Sequence, residues 1–332
     1  MHELAMPLLI GLVIMALAFD FLNGLHDAAN SIATVVSTRL LSPVMAVVFA
    51  AFGNFAAYWL VGLHVAETIG KGIIDPDTVT PAVVFGALVG AMFWNIVTWL
   101  KGIPSSSSHA LIGGLLGAGI AHGGTGSVGG PKTIETFLAI FMSPLLGMAI
   151  AMALVLLTSW LFRAFQPRKA ESVFKVMHLF SSAAYSISHG GNDAQKTMGI
   201  ISVLLYSTGH LGGKFHVPDW VVLSCYGAIA LGTLSGGWKI IKTMGTKITK
   251  LNHHTGFCAS TAGSIVVFGA SSVGIPISTT HAITGSVIGT GVARRASAVR
   301  WGIAANVVAA WFITIPMSAL VGAAFYGLTL LF

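Results

Sequence analysis

The chain has 332 residues, of which 55% are hydrophobic and only 8% are charged. Soluble domains carry about 25% charged residues, so this composition excludes an ordinary soluble protein and indicates a chain that crosses a membrane several times. The net charge of +7 does not indicate nucleic-acid binding, because the basic residues lie between apolar segments, where they set membrane topology.

The first half of the chain predicts three membrane spans and one hairpin. Residues 4–22 are apolar apart from Asp20, and they run into a polar stretch, 23–31, before apolar residues resume. The later apolar segments are 44–63, 81–100, 112–121 and 136–162. The second and third of these flank a Gly-Ile-Pro motif at residues 102–104, so we interpret them as the arms of a hairpin.

The second half repeats this plan. Residues 173–187 lead into a second polar stretch, 188–196, and the later apolar segments are 220–234, 257–274, 282–292 and 301–328. Asp193 follows Asp27 by 193 − 27 = 166 positions, and His281 follows His109 by 281 − 109 = 172 positions. The chain is therefore predicted to contain two repeats, residues 1–165 and 166–332.

Each hairpin has a polar tip. Residues 102–109 read Gly-Ile-Pro-Ser-Ser-Ser-Ser-His, and residues 274–281 read Gly-Ile-Pro-Ile-Ser-Thr-Thr-His. Proline ends one helix, and a following serine or threonine caps the next, whose free N–H groups attract anions. The hydroxyls expected to contact such an anion are those of Ser106, Ser107, Ser108, Ser278, Thr279 and Thr280. His109 and His281 are expected to pack against the tips.

The distribution of charge predicts the orientation. With Arg39 and the basic segments 163–175, 239–250 and 294–300 inside, and the acidic loop 67–77 outside, both termini lie outside. Three spans in each half give the two halves opposite orientations. Inverted repeats with broken helices around a midplane site are typical of secondary transporters. We expect the polar stretches to break their helices, and the sequence leaves open whether the hairpins are re-entrant or full spans.

Asp27 and Asp193 occupy equivalent positions in the two halves. A carboxylate at membrane depth costs several kcal/mol unless it is paired, hydrated or protonated, so the pair indicates cation binding or proton transfer. The alternative is a helix cap or an acid that snorkels at the end of a span. Asp20 is expected to face a polar interior. The amides that could give oxygen ligands to the cation, or cap broken helices instead, are Asn23, Asn30 and Asn192.

Two side chains near Asp193 are further candidates for the binding site. Lys196 lies three residues later, on the same helix face, where it either offers positive charge to an anion or only neutralises Asp193. Gln195 could form a hydrogen bond with the substrate. The roles of His26 and His189 stay open.

These motifs resemble the inorganic phosphate transporter (PiT) family over nearly the whole chain. Residues 24–30 and 190–193 are similar to the paired Gly-x-Asn-Asp signatures of the family, and residues 102–109 and 274–281 are similar to its hairpin tips. The resemblance implies an inverted-repeat fold, often dimeric, in the cytoplasmic membrane. It also implies symport of inorganic phosphate, alone or as a metal–phosphate complex, with a cation and without a cofactor.

Two features resemble the bacterial low-affinity branch of this family: His26, where many members have Asn, and the sequence from Asn192 to Lys196. This branch implies coupling to H⁺. The alternative is a Na⁺-coupled phosphate or sulfate symporter, with Na⁺ at Asp27, Asn30 and Asp193.

Two other classes of function fit the sequence less well. An intramembrane hydrolase that uses a serine and His109 is disfavoured because catalysis needs a single nucleophile–base pair, whereas this Ser/His run is duplicated. An anion channel is disfavoured because paired acids suit a cation-coupled carrier better.

Overall fold

The computed structural model describes residues 6–72, 78–127 and 130–331. All the regular secondary structure in these ranges is helical, which confirms the predicted all-α class. The helices of the first half are α1 (Met6–Ser37), α2 (Pro43–Leu60), α3 (His64–Gly72), α4 (Pro81–Lys101), α5 (Ser107–Gly123) and α6 (Pro131–Leu161). Those of the second half are α7 (Pro167–Ser207), α8 (Asp219–Ser235), α9 (Trp238–Lys242), α10 (His253–Ser272), α11 (Thr279–Arg294) and α12 (Trp301–Thr329). The predicted acidic loop, 67–77, lies partly outside the described residues.

Several helices are long and apolar enough to cross a membrane. In the described ranges these are α1, α2, α4, α6 and α12, and α8 forms a sixth together with the segment Trp238–Lys247, to which it is bent by 66°. Helix α7 is less apolar because its middle is polar. At 41 residues and a rise of about 1.5 Å per residue it is still long enough to span. The chain is a multi-pass membrane protein.

The polar stretches 23–31 and 188–196 do not interrupt their helices, so the prediction that α1 and α7 break there is wrong. The glycines in these stretches serve close helix packing instead. A Cβ atom on Gly24 would lie 2.1 Å from the carbonyl oxygen of Ile229, and one on Gly190 would lie 2.5 Å from that of Asn54. The three candidate asparagines are helix-internal, so the capping alternative for them is also wrong.

The chain breaks in the hairpins. Gly102 and Gly274 adopt left-handed conformations, with φ of 65° and 74°, at the start of the two tips. Ser106 then caps α5 and Ser278 caps α11, each accepting a hydrogen bond of 3.2 Å from the backbone N–H three residues later. The predicted helix restart after each proline is confirmed.

The second arm of each hairpin packs against the last helix of the other half. Helix α5 lies along α12, and α11 lies along α6. Glycines allow this approach: a Cβ atom on Gly117 would lie 2.0 Å from the carbonyl oxygen of Ala319, and one on Gly289 would lie 2.4 Å from that of Met148. Because each of these hairpin arms packs on a helix of the other half, the two tips lie close together in the interior.

Candidate functional site

The two hairpin tips are in contact, as predicted. Ser108 of the first tip donates a hydrogen bond of 3.4 Å to the carbonyl oxygen of Ile277 in the second tip. The ring centroids of His109 and His281 are 4.2 Å apart. The hydroxyl-bearing tip residues are buried, with Ser108 the most exposed at 4%. Contacts between the tips therefore form away from the surface of the protein.

Asp27 is held by hydroxyls of both tips. Ser107 of the first tip donates to Asp27 Oδ2 at 2.8 Å, and Thr280 of the second tip donates to Oδ1 at 3.3 Å. His26 Nδ1 lies 2.9 Å from the same Oδ1. Ser107 Oγ is also 2.7 Å from Asn23 Oδ1, a second acceptor for its one proton. Asp27 is buried in the middle of α1, so the capping alternative does not apply to it.

Asp193 occupies the matching position on α7. Thr279 of the second tip donates to its Oδ2 at 2.9 Å, and His189 Nε2 lies 3.2 Å from the same atom. Its Oδ1 forms an ion pair with Lys196. The ammonium group also donates to Ser108 Oγ and, at 2.8 Å, to the carbonyl oxygen of Ile277. Lys196 therefore neutralises Asp193 and also joins the two tips.

The two acids and one histidine form a group that could hold a cation. The ligand atoms of Asp27, His189 and Asp193 lie within 4.8 Å of one another, and all three residues are buried. Asn30 is next to this group, because its Nδ2 donates to Thr280 Oγ1 at 2.9 Å. Asn192 points elsewhere and donates to Ser271 Oγ at 2.9 Å.

The buried site holds more acids than lysines. Asp20, Asp27 and Asp193 are at most 1% exposed, and Lys196 is the one buried lysine in the described residues. If all three acids were ionised and the histidines neutral, 3 − 1 = 2 negative charges would lack a counterion. Uncompensated charge at membrane depth is unfavourable, so the site can accept positive charge, either as protons or as a bound cation.

The amide of Gln195 is fully used by the backbone. Its Oε1 accepts hydrogen bonds of 3.0 and 3.2 Å from the N–H groups of Val65 and Ala66, and its Nε2 donates to the carbonyl oxygens of Gly62 and Gly191. A primary amide offers two donors and two acceptor lone pairs. Gln195 therefore anchors the start of α3 to α7 and has no group left for the expected contact with a substrate.

Sequence reasoning missed the residues that orient the two histidines. His26 Nε2 lies 3.1 Å from Thr98 Oγ1, and His189 Nδ1 lies 3.0 Å from Asn54 Oδ1. Asn54 in turn donates to Thr233 Oγ1 at 2.8 Å. These three partners are isolated polar residues in apolar segments, and a polar residue at membrane depth is a signal of function.

The geometry does not support a nucleophile that uses His109 as its base. Within the described part of the chain, neither ring nitrogen of His109 has a hydrogen-bond partner. An activated serine needs a histidine within hydrogen-bonding reach as its base. The ring of His109 instead contacts that of His281, as expected for packing at the tips.

Comparison with known proteins gives consistent results. A profile described as the phosphate transporter family matches residues 23–322. A Rhizobium meliloti (strain 1021) protein described as a probable low-affinity inorganic phosphate transporter is 62% identical over 323 residues, 97% of each chain. A Bacillus subtilis (strain 168) protein of the same description is 41% identical over 326 residues, 98% of each chain. A solved structure described as the sodium-dependent phosphate transporter matches with a TM-score of 0.89 at 29% identity, covering 98% of this chain and 100% of that one.

Proposed function

Because the chain belongs to the phosphate transporter family, we propose that it is a symporter that imports inorganic phosphate together with a cation across the cell membrane. Its relatives are transporters and permeases rather than enzymes, so the intramembrane hydrolase is set aside. The finer proposal concerns which residues bind phosphate, which bind the cation, and why the two bind together.

The observation that carries the proposal is that the tip hydroxyls, which we assign to phosphate, are hydrogen-bonded to the acids, which we assign to the cation. Ser107 and Thr280 donate to Asp27, and Thr279 donates to Asp193. Phosphate has several acceptor oxygens and competes for these same donors. A cation bound to the carboxylates occupies their lone pairs and neutralises their charge. The hydroxyls can then donate to phosphate, and the repulsion between the acids and the phosphate falls. Each ligand then raises the affinity for the other.

The phosphate contacts follow from this arrangement. We assign phosphate binding to four tip hydroxyls, to the ammonium group of Lys196 on α7, and to the free N–H groups at the starts of α5 and α11. The four hydroxyls are those of Ser107, Ser108, Thr279 and Thr280. Ser106 and Ser278 act as helix caps that fix these starts.

We take H⁺ as the coupling cation, because the buried carboxylates of Asp27 and Asp193 can each be neutralised by one proton. Protonation of Asp27 or Asp193 would remove negative charge next to the phosphate. Na⁺ is the second candidate, favoured by the ligand atoms of Asp27, His189 and Asp193, which lie within 4.8 Å of one another. The solved relative is described as sodium-dependent, which agrees with this alternative.

The proposal includes two inverted repeats, residues 1–165 and 166–332, with both termini outside and a homodimeric assembly. The helices correspond in order, α1 with α7, α2 with α8, and α4 to α6 with α10 to α12. The exchanged packing of α5 on α12 and of α11 on α6 also supports it. Rocking of one unit against the other would expose the site to the two sides in turn.

Uptake into proteoliposomes tests this function. Radiolabelled phosphate is offered under an inward H⁺ gradient and, separately, under an inward Na⁺ gradient, with and without Mg²⁺ to detect a metal–phosphate complex. Excess sulfate and arsenate test the choice of anion. We expect accumulation above equilibrium under the H⁺ gradient. Uptake that stops at equal concentrations under every gradient would indicate a channel and overturn the proposal.

A further inference from the structure

Asp20 is a buried acid that the proposed mechanism does not use. It lies on α1, is 0% exposed, and forms no ion pair in the described residues. We propose that Asp20 is a second cation site, separate from the Asp27–His189–Asp193 group, which binds one monovalent cation, H⁺ or Na⁺, during uptake. This inference rests on the proposed function and adds a coupled cation to it.

The position of Asp20 ties it to the transport site. It precedes Asp27 by seven residues, about two helical turns, so both acids lie on one face of α1. The side chains of Thr197 and Asn23 are within hydrogen-bonding reach of it, and the charges of Asp193 and Lys196 also act on it. A cation bound at Asp20 would therefore alter the electrostatic potential at the phosphate site.

No positive side chain is free to neutralise Asp20 among the residues that the structure describes. Lys196 is the nearby cation, but its ammonium group already donates to Asp193, Ser108 and the carbonyl oxygen of Ile277. Lysine has three donors, so all of them are in use. An unpaired buried carboxylate is strongly unfavourable, and a small cation from solution is the remaining source of positive charge.

Further hydroxyl oxygens lie near the carboxylate. They belong to Thr197 on α7 and Tyr226 on α8, both of which are buried. Both residues are close enough to Asp20 for their groups to influence one another, and Cys225 is also nearby. Carboxylate and hydroxyl oxygens are the ligands that hard cations prefer.

The second half has no counterpart of this acid. The equivalent position is 20 + 166 = 186, where Ser186 donates a hydrogen bond of 3.0 Å to the carbonyl oxygen of Ser182. Duplication of the repeat therefore does not account for Asp20. Ser186 also supplies a matched control, because its side chain is buried at the corresponding place on α7 and is satisfied locally.

The test is steady-state accumulation of radiolabelled phosphate in proteoliposomes under a tenfold inward gradient of H⁺ or of Na⁺, together with phosphate exchange at equal cation concentrations. Each coupled cation multiplies the attainable phosphate accumulation by the cation gradient, here tenfold, which corresponds to about 1.4 kcal/mol. Asp20→Asn should therefore lower accumulation about tenfold under the gradient that drives uptake by the wild-type protein. Exchange should persist. Ser186→Ala should accumulate phosphate like wild type, and Asp20→Glu should restore part of the loss.

Two results would overturn the inference. One is an Asp20→Asn protein that accumulates phosphate like wild type under both gradients. The other is a folded Asp20→Asn protein that loses exchange together with accumulation, which would make Asp20 part of the phosphate site or its support. If Asp20→Asn folds poorly, Thr197→Val provides an independent test. In this variant the cation concentration for half-maximal uptake should rise, and an unchanged value would contradict the proposed site. Wild-type protein that never accumulates phosphate would instead refute the proposed function.

Discussion

Asp27 on α1 and Asp193 on α7 belong to one buried group, in which their carboxylates and His189 offer ligand atoms within 4.8 Å of one another. The two acids are 193 − 27 = 166 residues apart in the chain. Hydroxyl groups of both hairpin tips donate to this pair of acids, and Lys196 forms an ion pair with Asp193. The site is thus arranged so that positive charge on the acids changes what the tips can bind.

Lys196→Met should weaken both phosphate binding and folding. It removes the cation that joins the tips and leaves Asp193 unpaired, and breaking a buried ion pair from one side costs about 3–5 kcal/mol. We expect a lower unfolding temperature in detergent and a KM for phosphate raised about tenfold or more. The double variant Lys196→Met/Asp193→Asn should recover part of the stability, because position 193 no longer carries an unpaired charge. A single variant as stable as wild type would contradict the ion pair.

Ser107→Ala and Ser106→Ala should separate substrate contact from helix capping. Ser107 donates to Asp27 and, in the proposed bound state, to phosphate. Because a hydrogen bond to a charged group is worth about 1.5–3 kcal/mol, KM should rise about tenfold or more. Ser106 caps α5, so its loss should lower stability by about 1 kcal/mol with a smaller change in KM. Equal KM changes in the two variants would count against the assignment.

Gly117→Ala should disrupt the packing of α5 on α12. The new Cβ atom would lie 2.0 Å from the carbonyl oxygen of Ala319, and overpacking of this kind costs about 1–3 kcal/mol or more. Gly302→Ala is the matched control, because no atom lies within 4 Å of the position that its methyl group would occupy and alanine favours helix. Thermal unfolding should show a fall for the first variant and none for the second. A neutral Gly117→Ala would argue against the close approach.

Single cysteines should report the inverted orientation of the halves. The two native cysteines, Cys225 and Cys258, are buried, so introduced ones can be labelled selectively. Ser42→Cys follows α1, and His210→Cys follows the equivalent helix, α7. An impermeant maleimide should reach position 210 from outside the cell and position 42 only after the membrane is opened. Labelling of both positions from the same side would rule out inverted repeats.

Much of this architecture could be predicted from the sequence, because the features depend on local chemistry. The last apolar segment, 301–328, nearly coincides with α12 (Trp301–Thr329), and the duplicated Gly-x-Pro tips predicted the two helix restarts. Capping by Ser106 and Ser278 likewise needs only neighbouring residues.

The remaining features depend on contacts between distant parts of the chain. The polar stretch 23–31 stays helical in contact with other helices; Gly24, for example, packs against Ile229 on α8. The amide of Gln195 is used by the backbone near Val65, 130 residues earlier. The unpaired state of Asp20 follows from Lys196 being occupied by both tips. None of these contacts can be seen in the local sequence pattern.

The most direct test of the coupling mechanism is the steady-state accumulation of radiolabelled phosphate by proteoliposomes that contain wild-type protein, Asp27→Asn or Asp193→Asn, under an inward H⁺ gradient and under an inward Na⁺ gradient. We predict that wild-type protein concentrates phosphate under the H⁺ gradient and that neither variant exceeds the equilibrium level under any gradient. Accumulation at the wild-type level in both variants would contradict the account.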